Sequence, residues 1–485
     1  MLTLLILLPL LASLITWGLP ARAAKSFALL ASLVPLGQTA YLLTHFDKTA
    51  TGFQFTENIA WLPSLGASWS LGLDGLSLLM VALTALLIPL CLLASWKETR
   101  RTPAFFAAFL ALEAAVLGLF CSLDMLLFYV FWEAMLIPMF LLIGLWGGEN
   151  RVYATLKFFL YTFVGSVLML VAIMFLWSHA GGTFSIPALI TVGQGLPAST
   201  QNWLFLAFFA AFAVKVPMWP FHTWLPDAHV QAPTAGSVIL AGVLLKLGAY
   251  GFLRLSLPML PEGTATFAPL IFTLSAIAVI YAALVAYVQT DIKKLIAYSS
   301  VSHMGLVTLG IFSQTEEGLH GAYLVMINHG IVSAGLFLAI GVVYERFHTR
   351  ELESYGGLVQ LMPKFAFVMM VLTLAAVALP GTNSFVGEFL SLAGAWPVAP
   401  AATIAATSGV VFGALYMLWL YRNMIFGTPS KFLTHHKAKA IDLTRREWVI
   451  FLPLLILIPV LGLAPWLVQS YIAVPLSHLV KIIGQ

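Results

Sequence analysis

The sequence predicts an all-α polytopic membrane protein with about fourteen transmembrane helices, and three observations carry that prediction. Of its 485 residues, 61% are hydrophobic and only 9% are charged, whereas soluble domains hold about 25% charged residues. Apolar stretches of spanning length, about 20 residues for the hydrocarbon core of a bilayer, recur along the chain. Lysine and arginine gather in alternate loops between those stretches, as the positive-inside bias requires.

Taken in order, the stretches fall near 2–18, 25–45, 75–96, 104–121, 123–146, 157–178 and 203–222. Seven more follow near 234–255, 266–288, 295–313, 318–344, 365–395, 401–426 and 448–470. The first, MLTLLILLPLLASLITWGLP, lacks a positive n-region and is long enough to span, so it is expected as a retained helix. Counting alternate loops from an outside N-terminus puts 18 Lys and Arg on one side, Arg100, Arg101, Lys294, Arg346 and Lys437 among them. Lys48, Arg254 and Lys481 fall on the other side, and Lys215 and Lys246 lie within stretches. Both termini are therefore expected on the periplasmic side of a bacterial inner membrane.

Composition also removes function classes. A net charge of +4 with no basic tract argues against nucleic acid. Cys91 and Cys121 are the only cysteines, so there is no CxxC and no iron–sulfur ligand set. No GxGxxG, Walker A or HExxH run occurs. No cofactor is expected in this chain, and no metal, since neither His303 nor His329 has a second ligand at i+3 or i+4.

Two stretches carry helix breakers. The seventh contains Pro217, Pro220 and Pro226 in KVPMWPFHTWLP, and the twelfth Pro380-Gly381 and Gly387 in ALPGTNSFVGEFL. Interrupted helices at matching places in two halves point to an inverted-repeat transporter with its ion site at the breaks. Glu133 and His303 stand 170 positions apart, Lys215 and Glu388 173. The expected organisation is N-terminal helices over 1–103 and a first five-helix repeat over 104–255. A second repeat follows over 266–426, then a cytoplasmic loop and last helix over 427–485.

Ionisable residues inside such stretches are the chemical signal. A charge at bilayer depth costs about 2.5 kcal/mol or more, so it is retained for a reason. Lys215 sits beside the first break, where unwound backbone admits water, and burial disfavours the charged form of any lysine. Glu133 in FYVFWEAMLIPMF is its natural counter-charge. Bringing the two together holds a proton on the lysine and separating them releases it, while the competing reading is a static salt bridge bracing two helices. Lys246 lies mid-stretch with no acid on its own helix, and reads as a relay and not as a snorkelling side chain. His303 and His329, central in the tenth and eleventh stretches, suit proton transfer near neutral pH and can bridge Lys246 to Glu388. Glu388, in the second broken helix, reads as the exit group. His222, Asp227 and His229 can line a water-filled inlet or form a polar loop. Asp291, Lys293 and Lys294 read as an interfacial turn, and Glu113 and Asp74 as structural or interfacial.

These segments resemble one family. FWEAMLIPMF, the run AVKVPMWPFHTWLPDAHVQAPTAGSVILAGVLLKLGAYG, DIKKLIAYSSVSHMG and PGTNSFVGEF are similar to the antiporter-like subunits of respiratory complex I, over roughly residues 70–425. Glutamate in FVGEF, where the L and N chains and antiporter D chains tend to have lysine, marks the branch of subunit M, the complex I subunit 4 family. A long lateral helix like that of subunit L is not expected after the last stretch. The resemblance implies that Glu133, Lys215, Lys246, His303, His329 and Glu388 form a proton path. It implies partners too: other membrane-arm subunits of the L and N type, and a peripheral arm holding FMN and iron–sulfur clusters, with quinone reduced elsewhere in the complex. The expected function is proton translocation from cytoplasm to periplasm coupled to NADH oxidation. The alternatives are a subunit of a multisubunit cation/proton antiporter or of a membrane-bound hydrogenase-type complex.

Overall fold

Helix follows helix through a computed structural model that describes residues 1–483. In order these are α1 Leu2–Gly18, α2 Ala21–His45, α3 Gly75–Ala94, α4 Thr102–Cys121, α5 Met125–Trp146 and α6 Arg151–His179. Next come α7 Ala198–Lys215, α8 Trp224–Gln231, α9 Thr234–Met259, α10 Pro261–Tyr287, α11 Ile292–Ser313 and α12 Glu316–Phe347. The last are α13 Pro363–Ala376, α14 Asn383–Ala395, α15 Pro400–Ile425, α16 Arg445–Leu463 and α17 Trp466–Ile483. Among the described residues, 12 helices are long and apolar enough to span on their own. The shorter apolar helices α1 and α13 and the lysine-ended α7 fill the remaining expected positions.

The chain forms two units by internal contacts. One holds Met1–Pro217, Val243–Leu270 and the segment from Ser470; the other holds Met218–Gly242 and Ile271–Gln469. These units are not drawn at the expected repeat boundaries, because Met218–Gly242, just past the first break, packs with the second unit.

Within the first unit, local chemistry fixes the helix starts. The Asp74 carboxylate accepts from the Ser77 amide at 3.0 Å and caps α3. Asp124 accepts from the Leu126 and Leu127 amides, both at 3.0 Å, and starts α5. The region before α3, on which the sequence is uninformative, is an antiparallel hairpin, β1 Gln54–Leu62 and β2 Ala67–Leu73. Its Glu57 accepts from the amides of Leu2 and Thr3 at 2.7 and 3.0 Å, tying the hairpin to α1.

Within the second unit, α12 and α14 approach so closely that a Cβ on Gly321 would meet the Ser391 amide, and one on Gly394 the backbone of Gly318. Such contact is open only to glycine.

Three expectations change. The last stretch, read as 448–470, is two helices, α16 and α17, which part at Ala464 and Pro465. Gly387 is no breaker: the second break runs from Val377 to Thr382, with Ala378 at φ +54° and Gly381 at φ +92°. Gly387 lies inside α14 against the Val325 amide, where a Cβ would come within 2.8 Å. Lys293 marks no exposed turn. It is buried, and its Nζ donates to the Ala232 carbonyl at 2.8 Å and lies 3.3 Å from the Ser237 hydroxyl.

Candidate functional site

In the first unit the ionisable side chains come from three helices. Lys215 is the last residue of α7, 1% exposed, at the point where the helix stops before Pro217. Its Nζ makes no hydrogen bond. It rests near two aromatic faces, 5.5 Å from the Trp132 ring centroid and 5.7 Å from that of Phe158. Glu133, half-buried on α5, is the carboxylate that acts on it electrostatically. Its Oε1 also has no hydrogen-bond partner. The sequence pairs these two residues, and the structure brings them within electrostatic reach without closing a salt bridge.

Lys246 is 0% exposed on α9. Its stretch is not a plain α-helix: π-helical turns at Leu240–Leu244 and Phe252–Ser256 flank the α-helical Leu245–Gly251. Such turns are often found at functional positions. Gly248, half a turn on, packs against the end of α7, where a Cβ would lie 2.6 Å from the Phe212 carbonyl and 2.8 Å from the Val216 amide. The helices bearing Lys215 and Lys246 are therefore in backbone contact.

In the second unit His303 on α11 and Glu388 on α14 share a hydrogen bond, Nδ1 to Oε1 at 2.9 Å. The ring of His329, on α12, lies 5.7 Å from that of His303, centroid to centroid. Glu388 and His329 are each 7% exposed. Next to His329, the Asn328 side-chain amide donates to the Asn383 carbonyl at 2.6 Å, and Asn383 donates back to Asn328 Oδ1 at 3.2 Å. That pair pins the first turn of α14, whose second turn presents Glu388. A cavity of about 20 Å³ is lined by His303, His329, Glu388, Ser299, Ser333 and Ser384 among others. A second, of about 10 Å³, is also lined by His303 and Glu388. Spaces of this order hold single waters when polar groups line them.

Of the suggested inlet residues, His222 faces the Tyr281 and Tyr298 rings at 5.5 and 6.2 Å, and His229 stacks on Phe337 at 4.5 Å. Both are buried, while Asp227 is half-buried. Asp74 is structural beyond its cap: Arg254, expected at a membrane boundary, is largely covered and donates to it at 2.6 Å.

Three groups lie outside the path expected from the sequence. Lys293 and Arg350 both donate to carbonyls at the end of α8, Ala232 and Val230 respectively. Glu113, 0% exposed on α4, has neither carboxylate oxygen hydrogen-bonded. Tyr416, 0% exposed on α15, borders the smaller cavity. Among the described residues no group of three or more His, Cys, Asp or Glu can hold a metal ion.

The NADH:quinone oxidoreductase/Mrp antiporter transmembrane family matches residues 122–413. The chain is 51% identical to NADH-quinone oxidoreductase subunit M of Rhodobacter capsulatus, over 95% of this chain and 91% of that one. It is 46% identical to NADH-ubiquinone oxidoreductase chain 4 of Arabidopsis thaliana, over 98% and 96%. A chain of the respiratory complex I of Thermus thermophilus with bound NADH superposes at a TM-score of 0.90 with 34% identity, covering 100% of both. The chain therefore belongs to the NADH:quinone oxidoreductase/Mrp antiporter family of membrane subunits.

Proposed function

We propose that this chain is a proton-translocating subunit in the membrane arm of a bacterial NADH-quinone oxidoreductase, moving protons from cytoplasm to periplasm. The observation that carries the reading is Lys215: a lysine 1% exposed, with no hydrogen bond at Nζ, near a carboxylate and at a helix break. A structural lysine closes its salt bridge. One left open beside its counter-charge is arranged for the distance to change. Relatives matched over more than nine-tenths of both chains bear the oxidoreductase name, which favours this reading over an autonomous antiporter.

Protons load Lys215 and Lys246, pass to the histidines and Glu388, and leave on the periplasmic side, where both termini lie. Against about 180 mV each needs roughly 4 kcal/mol, at about 2.3 kcal/mol per 100 mV. Moving Glu133 and Lys215 together and apart in a poorly screened interior supplies energy of that order. Flavin, iron–sulfur and quinone chemistry belongs to partner subunits, with the L- and N-type chains as membrane neighbours. Repacking of helices must bring the drive here.

The test is Lys215→Ala in the intact complex in native membranes. We expect both proton pumping and NADH oxidation to fall at least about tenfold, equivalent to about 1.4 kcal/mol, with the complex still assembled. Unchanged rates in an assembled complex would leave the chain a scaffold.

A further inference from the structure

The smaller cavity beside Glu388 ends on a side chain to which nothing above gives a role. Tyr416 lies on α15, a helix whose outward side is largely exposed, yet its own side chain is fully buried. Burying the ring is ordinary; burying a hydroxyl requires a polar neighbour. Among the described residues no side chain or backbone group hydrogen-bonds this hydroxyl, and Glu388 acts on it through space. Its position is fixed by the cavity: a Cβ added at Gly413, which lines the same space, would lie 3.9 Å from the Tyr416 oxygen with nothing else within 4 Å. The hydroxyl thus borders a space of about 10 Å³ whose other polar walls are Ser302, His303 and Glu388.

Sequence spacing makes the same selection independently. His303 follows Glu133 by 170 positions and Glu388 follows Lys215 by 173. Tyr416 follows Lys246 by 170. At spacings of 170 to 173 positions from Glu133, Lys215 and Lys246 in the first half stand His303, Glu388 and Tyr416 in the second. Each member of the first set is ionisable and lies in a helix at membrane depth, and the tyrosine completes the second set.

We propose that Tyr416 is a proton-relay residue on the release side of Glu388. The Glu388 O–H bond breaks as its proton passes to the cavity water, and that water passes one of its own protons to the Tyr416 oxygen. The phenol's original hydrogen leaves to the next water. One proton has moved, Glu388 is left as carboxylate, and the tyrosine is neutral before and after. Glu388 and Tyr416 line one space of about 10 Å³, the order of size that a single water occupies. The inference rests on Glu388 being a path residue, so the test separates the two claims.

Tyr416→Phe keeps the ring and removes only the oxygen. In the intact complex in native membranes we expect about a tenfold fall in the rate of proton pumping, with assembly unchanged. Glu388→Gln is measured beside it. If Glu388→Gln blocks pumping while Tyr416→Phe runs at the wild-type rate, the tyrosine role is overturned and the Glu388 reading stands. If Glu388→Gln itself pumps fully, that reading falls and this one with it. Gly413→Ala is the second variant, since its methyl enters the cavity at ordinary contact distance while the phenol is left in place. We expect it to slow pumping several-fold. Should Tyr416→Phe fail to assemble, a wild-type rate in Gly413→Ala overturns the proposal.

Discussion

The two units hold their ionisable groups in opposite ways. In the first, Lys215 Nζ makes no hydrogen bond and faces the rings of Trp132 and Phe158, with Glu133 acting on it through space. In the second, His303 and Glu388 are joined at 2.9 Å and flanked by cavities of about 20 and 10 Å³. The residue types match the settings. An ammonium against dry walls feels a moving carboxylate strongly, because little solvent screens it. A histidine–carboxylate pair beside polar spaces of water size shares its proton at small cost and conducts. The first arrangement suits storing energy as separated charge, and the second suits passing a proton along. The comparison teaches that matching spacing in two halves need not mean matching duty.

The strongest way to break it is to keep the charge at Lys215 and remove its acidity. Lys215→Arg retains a cation that can still face Glu133, but a guanidinium does not release its proton in proteins. If the first unit works by discharging this group, pumping by the assembled complex falls on the order of a hundredfold, about 2.7 kcal/mol in barrier. A static ion pair bracing α5 and α7 would keep most of its activity with arginine. Rates of proton uptake by inverted membrane vesicles distinguish the two.

A smaller effect sharpens the wet half of the comparison. Glu388→Asp withdraws the carboxyl by one methylene, and the adjoining 20 Å³ space can place a water in the gap. We expect a loss of only about threefold, on the order of 0.7 kcal/mol. Glu133→Asp makes the same retraction toward a lysine walled by the Trp132 and Phe158 rings, so its loss should exceed that of Glu388→Asp. Equal losses in the two vesicle assays would remove the distinction between a dry and a wet site.

What the sequence revealed followed from local conflict. Lys215, Lys246 and Glu388 stand out because a charge contradicts the apolar run around it, and all three are buried. Pro217 and Pro380 mark the breaks because each comes with a second helix-disfavouring residue, Pro220 and Gly381, within a few positions. The rest was decided by distant contacts. DIKK reads as an interfacial turn, and only the carbonyl of Ala232, 61 positions away, shows why Lys293 is inside. Gly387 next to Pro380-Gly381 looks like another breaker, whereas its role is the approach of α12. Tyr416 stands in GALYMLWLY, where nothing local distinguishes it from the neighbouring aromatics. The hairpin at 54–73 shows neither spanning length nor a clean alternation, with burial along β1 mixed on both faces.

A carboxylate outside the spanning helices sets the lower bound of the comparison. Burial alone would raise the Glu57 carboxyl, but the amino terminus, the Thr3 hydroxyl and the amides of Thr3 and Leu2 outweigh it and hold it near 2, against an ordinary 4.5. A carboxylate held below its unfolded value stabilises the fold above that value, and loses the contribution as pH falls through the folded one. The Glu57 contribution is therefore whole above about pH 4.5 and fades toward pH 2. The group is half-buried at the edge of the fold, where solvent still screens its partners, so it is worth about 1 kcal/mol. Glu57→Gln should lower the thermal stability of the purified complex slightly at pH 7, by an amount that shrinks below pH 4.5, while proton pumping stays at the wild-type rate. A pumping defect as large as that of Glu388→Asp would mean that pairing with amides at the hairpin, and not dryness or water around the spanning groups, sets how much a carboxylate matters in this chain.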